Sequence, residues 1–106
     1  MTNEWKDLKK FIEYPQEGIL SKSVLKDSKT DVTLFCMHSE SEMSEHISSK
    51  EGIVFVLDGK GVFNLEGQEI AMSPGVFIHM RKNARHSLKA EENMSFVLLL
   101  LKEVSD

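Results

Sequence analysis

Val54-Phe55-Val56-Leu57-Asp58-Gly59-Lys60-Gly61-Val62-Phe63 decides the fold of this 106-residue chain. Ile53 to Leu57 is an unbroken β-branched and apolar run, which suits a strand covered on both faces. Asp58-Gly59-Lys60-Gly61 reads as a turn, because glycine adopts positive φ without steric cost. Val62-Phe63-Asn64-Leu65-Glu66 then alternates, with Phe63 and Leu65 on one face and Asn64 and Glu66 on the other. Strand, glycine turn and alternating strand make a hairpin.

The same grammar extends in both directions. Downstream, Gly67 makes a turn, Gln68 to Met72 a short strand, and Ser73-Pro74-Gly75 another turn. Val76 to Met80, His86 to Ala90 and Met94 to Leu101 follow as strands. Upstream, Ile19 to Leu25 and Val32 to Met37 read as strands, and Ser39 to Glu42 as a polar connection. Turn glycines at 59, 67 and 75 stand eight residues apart, a spacing of short strands in an all-β barrel or sandwich. No long helical period interrupts them, so a doubly wound parallel sheet is excluded. Residues 1–17 differ. Trp5, Leu8, Phe11 and Ile12 recur among charges at helical spacing, and Pro15 stops the pattern. The chain divides into an N-terminal arm, 1–17, and a barrel domain, 18–106.

Length allows one domain and one core. The net charge is −4, so the basic stripe that nucleic acid requires is missing. Cys36 is the sole cysteine, which rules out an intrachain disulfide and fits a reducing cytoplasm. It stands in an apolar run and reads as a buried, inert thiol. Met1 to Asp7 lacks the apolar core of a signal peptide, and Phe96 to Leu101 is too short to span a bilayer. The expectation is a cytoplasmic protein with neither membrane nor nucleic-acid partners.

In this order, the hairpin, Gly67, Pro74-Gly75 and His86 resemble the small single-domain cupins, which are double-stranded β-helix (jelly-roll) barrels. The stretch from Val54 to Phe63 looks like that family's VxxVLxGxGxF hairpin, and the resemblance covers about residues 18 to 102. In metal-binding cupins the first motif is His-x-His, three or four residues, Glu, six residues and Gly. Counted back from Gly59, those positions fall on His46, Ser48 and Gly52, with Glu51 one residue out of register. His86 takes the histidine position of the second motif.

The resemblance implies a pocket lined by Phe55, Phe63, Phe77 and His79, the last sharing a face with Phe77. It implies His46, Glu51 and His86 as metal ligands, with one divalent transition metal (iron, manganese, nickel or zinc) as the cofactor. Ser48 is a poor substitute for imidazole, and a one-residue shift along a strand reverses a side chain. Glu51 therefore joins the histidines only if a bulge re-aims it. Arg81, Lys82 and Arg85 read as a solvated loop, with an anion site at the barrel mouth as the functional alternative. His38 reads as a surface residue. Met37, Met43, Met72, Met80 and Met94 read as core or pocket filler. Three functions follow: binding of an apolar or weakly acidic small molecule beside a degenerate metal site, a metal-dependent dioxygenase- or isomerase-like enzyme, or a structural or regulatory dimer. A homodimer is expected, with the apolar arm suited to cover a sheet edge.

Overall fold

Glycine turns and alternating strands build two facing antiparallel sheets. The computed structural model describes residues 3–103; residues 1, 2 and 104–106, at the ends of the arm and barrel spans, lie outside the described residues. One helical turn, α1 (Leu8–Phe11), is followed by nine strands: β1 (Ile19–Lys26), β2 (Thr30–Met37), β3 (Glu42–Ile47), β4 (Glu51–Asp58), β5 (Gly61–Leu65), β6 (Gln68–Met72), β7 (Phe77–Met80), β8 (Arg85–Ala90) and β9 (Met94–Leu101). One sheet has the order β1-β2-β9-β4-β7 and the other β3-β8-β5-β6. This is the jelly-roll barrel that the sequence predicts. The polar run at 39–42 is shorter as a connection than expected, because β3 already begins at Glu42.

The β4–β5 hairpin turns where its glycines demand. Gly59 has φ +84°, and a Cβ there would lie 2.0 Å from the Asn93 carbonyl oxygen. At Gly61 a Cβ would meet the Lys89 carbonyl oxygen at 2.5 Å. Both positions need glycine for the close approach of another backbone.

Alternation sorts the side chains into two faces. Val54, Val56, Phe63, Met72, Ile78, Met80, Leu88, Met94 and Phe96 point between the sheets and form the core. Five methionines help to fill it: Met37, Met72, Met80 and Met94 are at most 4% exposed, and Met43 packs against them. Phe35 and Phe96 are cross-strand partners and stack at 5.2 Å, a pairing that adds to simple burial.

The opposite face of the five-stranded sheet carries a second, smaller apolar layer under the arm. Leu34, Cys36 and Ser95 are fully buried there, and the Glu13 amide lies 3.5 Å from Cys36 Sγ. Lys22 reaches over the Phe11 ring at 4.7 Å and donates to the Phe11 carbonyl. The arm ends in a clasp: the Tyr14 hydroxyl donates to Asp58 Oδ2 at 2.7 Å and lies 3.2 Å from Ser95 Oγ. His38 is part of this fastening and not a plain surface residue; it is half-buried, with Nδ1 3.2 Å from the Pro15 carbonyl oxygen. Asp58 reaches the clasp through a bulge. Val56 pairs with Phe96 and Asp58 with Ser95, so Leu57 is an extra residue. Without it, Asp58 would share the inward face of Val56.

Candidate functional site

A second bulge makes the candidate site. On β3, Met43 pairs with Leu88 and His46 with His86, so three steps along β3 match two along β8. Residues three apart on a regular strand face opposite ways; the extra residue turns both Met43 and His46 toward the barrel interior. The two imidazoles stand as cross-strand partners with ring centroids 4.1 Å apart and planes at 60°. His86 is 7% exposed and lies parallel to Phe63, with 5.9 Å between centroids and 4° between planes. His46 is exposed on the edge strand, so the pair runs from solvent into the core.

Both rings are held the same way. His46 Nδ1 lies 2.8 Å from the carbonyl oxygen of Ser44, and His86 Nδ1 lies 3.0 Å from that of Ala84. A carbonyl only accepts, so each Nδ1 carries the proton and each neutral ring keeps its lone pair on Nε2. The Ser44 carbonyl is available because it belongs to the bulge. Burial pushes the His86 pKa below its ordinary value; the Ala84 carbonyl opposes that shift and the neighbouring His46 adds to it.

The cavity beside the pair is apolar and nearly full. Phe35, Met43, Val54, Phe63, Met80 and Phe96 are among the residues that line it with the two histidines, and they leave about 30 Å3 of open space. That volume suits one or two waters, far below the roughly 300–1,000 Å3 of ordinary ligand pockets.

Of the expected pocket residues, Phe63 lines the cavity. Phe55, Phe77 and His79 do not. β4 and β7 place Val54, Val56, Ile78 and Met80 inward, which leaves Phe55 39% and Phe77 61% exposed on the outer face. His79 shares that outer face and pairs with Glu51, 2.5 Å away.

Glu51 is therefore separated from the histidines by the thickness of the sheet. β4 runs in regular register from Glu51 opposite Leu101 to Val56 opposite Phe96, so nothing re-aims its carboxylate inward. The inward position is Gly52, and a Cβ there would touch the ends of Met80 and Leu100 at 3.1 and 3.2 Å. Apolar side chains occupy the space a ligating carboxylate at that position would need. Ser48 lies past the end of β3, where its hydroxyl accepts from the Lys50 amide and its carbonyl from the Asn83 amide. Among the described residues no group of three histidine, cysteine, aspartate or glutamate side chains is placed to share a metal. Two imidazoles fall short of the three protein ligands of a usual catalytic centre, so the residues present do not fit a tightly held transition metal.

Of the basic cluster, Arg81 and Lys82 share a hollow with Glu51. Lys82 pairs with Glu103, and Arg85 lies 3.9 Å from Glu45. The bulge that aims His46 was missed from sequence; the irregular Glu-Met-Ser-Glu run carries no alternation that would have shown it.

Comparison with known proteins settles the family. The family model described as "Cupin domain" matches residues 33–102. The chain is a cupin. A conserved protein of unknown function from Streptococcus pyogenes shares the fold at a TM-score of 0.86 and 21% identity, over 99% of this chain and 92% of that one. A cupin superfamily protein from Desulfitobacterium hafniense DCB-2 gives 0.86 at 16% identity, over 97% and 94%. KdgF from Halomonas sp. gives 0.78 at 20% identity, over 98% and 90%. At these identities the likeness concerns the fold. No curated protein matches. No helix among the described residues is long and apolar enough to cross a membrane.

Proposed function

We propose that this cupin binds a small molecule at the His46–His86 mouth through an apolar body and one hydrogen-bond donor. The observation that carries the reading is the contact of each ring with the chain behind it, from which the tautomer follows. Each Nδ1 is committed to a backbone carbonyl, so two Nε2 acceptors stand together at the rim of an apolar cavity. Burial keeps His86 neutral near pH 7, and a neutral imidazole accepts a hydrogen bond from a group that keeps its proton at that pH, such as a phenolic O–H. A ligand displaces side chains as it enters. Met43 and Met80 line the cavity and are unbranched, so they repack at low cost. The reducing cytoplasm remains our inferred compartment, supported by a sole cysteine that is fully buried.

Phenol is a suitable probe. Titrated into the protein at millimolar concentration, it should shift the Nε2 nitrogen resonances of both histidines and raise Tm. His46→Ala, at an exposed position that leaves no internal void, should weaken binding about tenfold, the ~1.4 kcal/mol of one lost hydrogen bond. Imidazole resonances that stay still across phenol and substituted phenols would sink the reading. The reading as a metal-dependent enzyme through His46, Glu51 and His86 loses its carboxylate to the outer face. Added Zn2+ should accordingly dialyse away and leave well under one metal per chain; a stoichiometric, His46-dependent ion would reverse that judgement.

A further inference from the structure

The arm and the end of β4 together wall a cavity of about 520 Å3. Lys9, Ile12 and Tyr14 of the arm line it, with Leu57 and Asp58 of β4 and Pro74 of the turn before β7. That volume lies within the roughly 300–1,000 Å3 of ordinary ligand pockets, whereas the barrel interior keeps about 30 Å3 beside the histidines. The β4 bulge shapes the barrel side of it. Leu57 is the extra residue between Val56, opposite Phe96, and Asp58, opposite Ser95. Two successive side chains, one apolar and one acidic, therefore face the same space. Bulges recur beside binding sites because they re-aim a side chain in this way.

The lining is of three kinds. Ile12, Leu57 and Pro74 are apolar, Lys9 brings a cation and Asp58 an anion. The two charges do not neutralise each other: among the described residues neither Lys9 nor Asp58 forms an ion pair. Asp58 is already aimed. Its Oδ2 accepts from the Tyr14 hydroxyl at 2.7 Å, which leaves Oδ1 for a second donor. Burial holds the Tyr14 pKa at about 12, so the phenol keeps donating at neutral pH. Lys9 is exposed on a flexible stem, and its ammonium adjusts to an incoming anion.

We propose that this cavity is a second binding site, outside the barrel, for a free α-amino acid with an apolar side chain. Such a molecule complements all three kinds of lining. Its ammonium meets Asp58, its carboxylate meets Lys9, and its side chain covers Ile12, Leu57 and Pro74. A plain amine or a plain carboxylate would leave one of the two charges without a partner. Exposed ion pairs contribute little by themselves, so the apolar contact is required as well. Half of the lining belongs to the arm and half to the barrel, so the bound molecule ties one to the other. Binding thereby holds the arm over Cys36, which is fully buried beneath it. The inference is independent of any ligand at the histidine pair.

Cys36 is the sole cysteine, so its labelling by a small thiol reagent reports opening of the arm. L-Leucine is the probe. Calorimetry should give a millimolar Kd, and leucine at ten times that Kd should slow the labelling about tenfold. Isoamylamine and 4-methylpentanoate each lack one charge, and glycine lacks the side chain; each should bind at least about tenfold more weakly. Lys9→Gln and Asp58→Asn should each weaken leucine binding about tenfold. Each variant is compared with its own rate without ligand, because Asp58→Asn also loosens the clasp. Glu69→Gln, on the other sheet, should bind leucine as wild type does. Leucine that gives neither heat nor slower labelling at about 20 mM would overturn the proposal. So would isoamylamine that binds as tightly as leucine, which would make this a plain cation site, or a Lys9→Gln variant with undiminished affinity. Leucine that shifts the imidazole Nε2 resonances and leaves Cys36 labelling unchanged would place it in the barrel and overturn the proposal too. The wild-type ligand series stands even if a variant fails to fold.

Discussion

His86 sets the behaviour of the site at the scale of one residue. It is 7% exposed, and its pKa lies below the ordinary 6.5, chiefly through desolvation. The sign of the linkage follows. Between the folded and unfolded pKa values the unfolded chain binds more protons, so stability rises with pH there and is lost as pH falls below about 6.5. Thermal melts between pH 7.5 and 5 should show Tm falling with acid, and His86→Phe should flatten that fall. An unchanged profile in the variant would assign the acid sensitivity to another group. Gly59 gives a second test at this scale. With φ +84° and the Asn93 carbonyl oxygen 2.0 Å from any Cβ, Gly59→Ala should cost at least about 2 kcal/mol by denaturant unfolding. Gly67 is its control: it has φ +85° but nothing near its Cβ, so Gly67→Ala should cost only the backbone strain, about 1 kcal/mol. These glycines were legible in the sequence because turn chemistry is local. The company of His86 was only half legible. Spacing named His46, but Glu51 needed a bulge on β4, and the bulges fell at Ser44–Glu45 and Leu57 instead.

Bulges decide the outcome at the scale of elements. One extra residue in β3 turns His46 inward, and one in β4 turns Asp58 outward to Tyr14. Burial, and secondarily Asp58, raises the Tyr14 pKa to about 12, so the phenol keeps its proton and donates it throughout the neutral range. Tyr14→Phe removes that donor and leaves the ring's packing. The expected loss is about 1–2 kcal/mol, felt first as opening of the arm and only then as global unfolding. Cys36 reports the opening, since it is fully buried beneath the arm. Its labelling by a small thiol reagent should accelerate about five- to thirtyfold in Tyr14→Phe. A rate equal to wild type would show that the arm is held by Phe11 and its neighbours alone. The clasp was hidden in the sequence because its members, Tyr14, Asp58 and Ser95, are far apart along the chain. The arm was visible because Trp5, Leu8, Phe11 and Ile12 keep a local period.

Across the whole molecule, alternation reveals that a strand has two faces but not which of them meets the core. Phe55 and Phe63 look alike in sequence, yet Phe63 is fully buried and Phe55 is 39% exposed. β4 belongs to the sheet with an uncovered outer half, so its apolar residues point both ways and the sequence pattern loses its polarity. The interior pays for this in space: filled by Phe63, Phe96 and five methionines, it keeps about 30 Å3 beside the histidines. Stability and ligand capacity therefore trade against each other. Met80 tests the exchange, since it is 4% exposed, lines the cavity and touches the Gly52 side of the barrel. Met80→Ala should cost about 2–4 kcal/mol in denaturant unfolding, because the core around it closes only in part. The same void should admit phenol without side-chain displacement, so the variant should bind it more tightly than wild type and recover part of its lost Tm on saturation. Adding His46→Ala to Met80→Ala should remove about tenfold of that affinity while leaving the void intact. If the double variant binds phenol as well as Met80→Ala does, the cavity alone holds the ring and the histidines play no part in recognition.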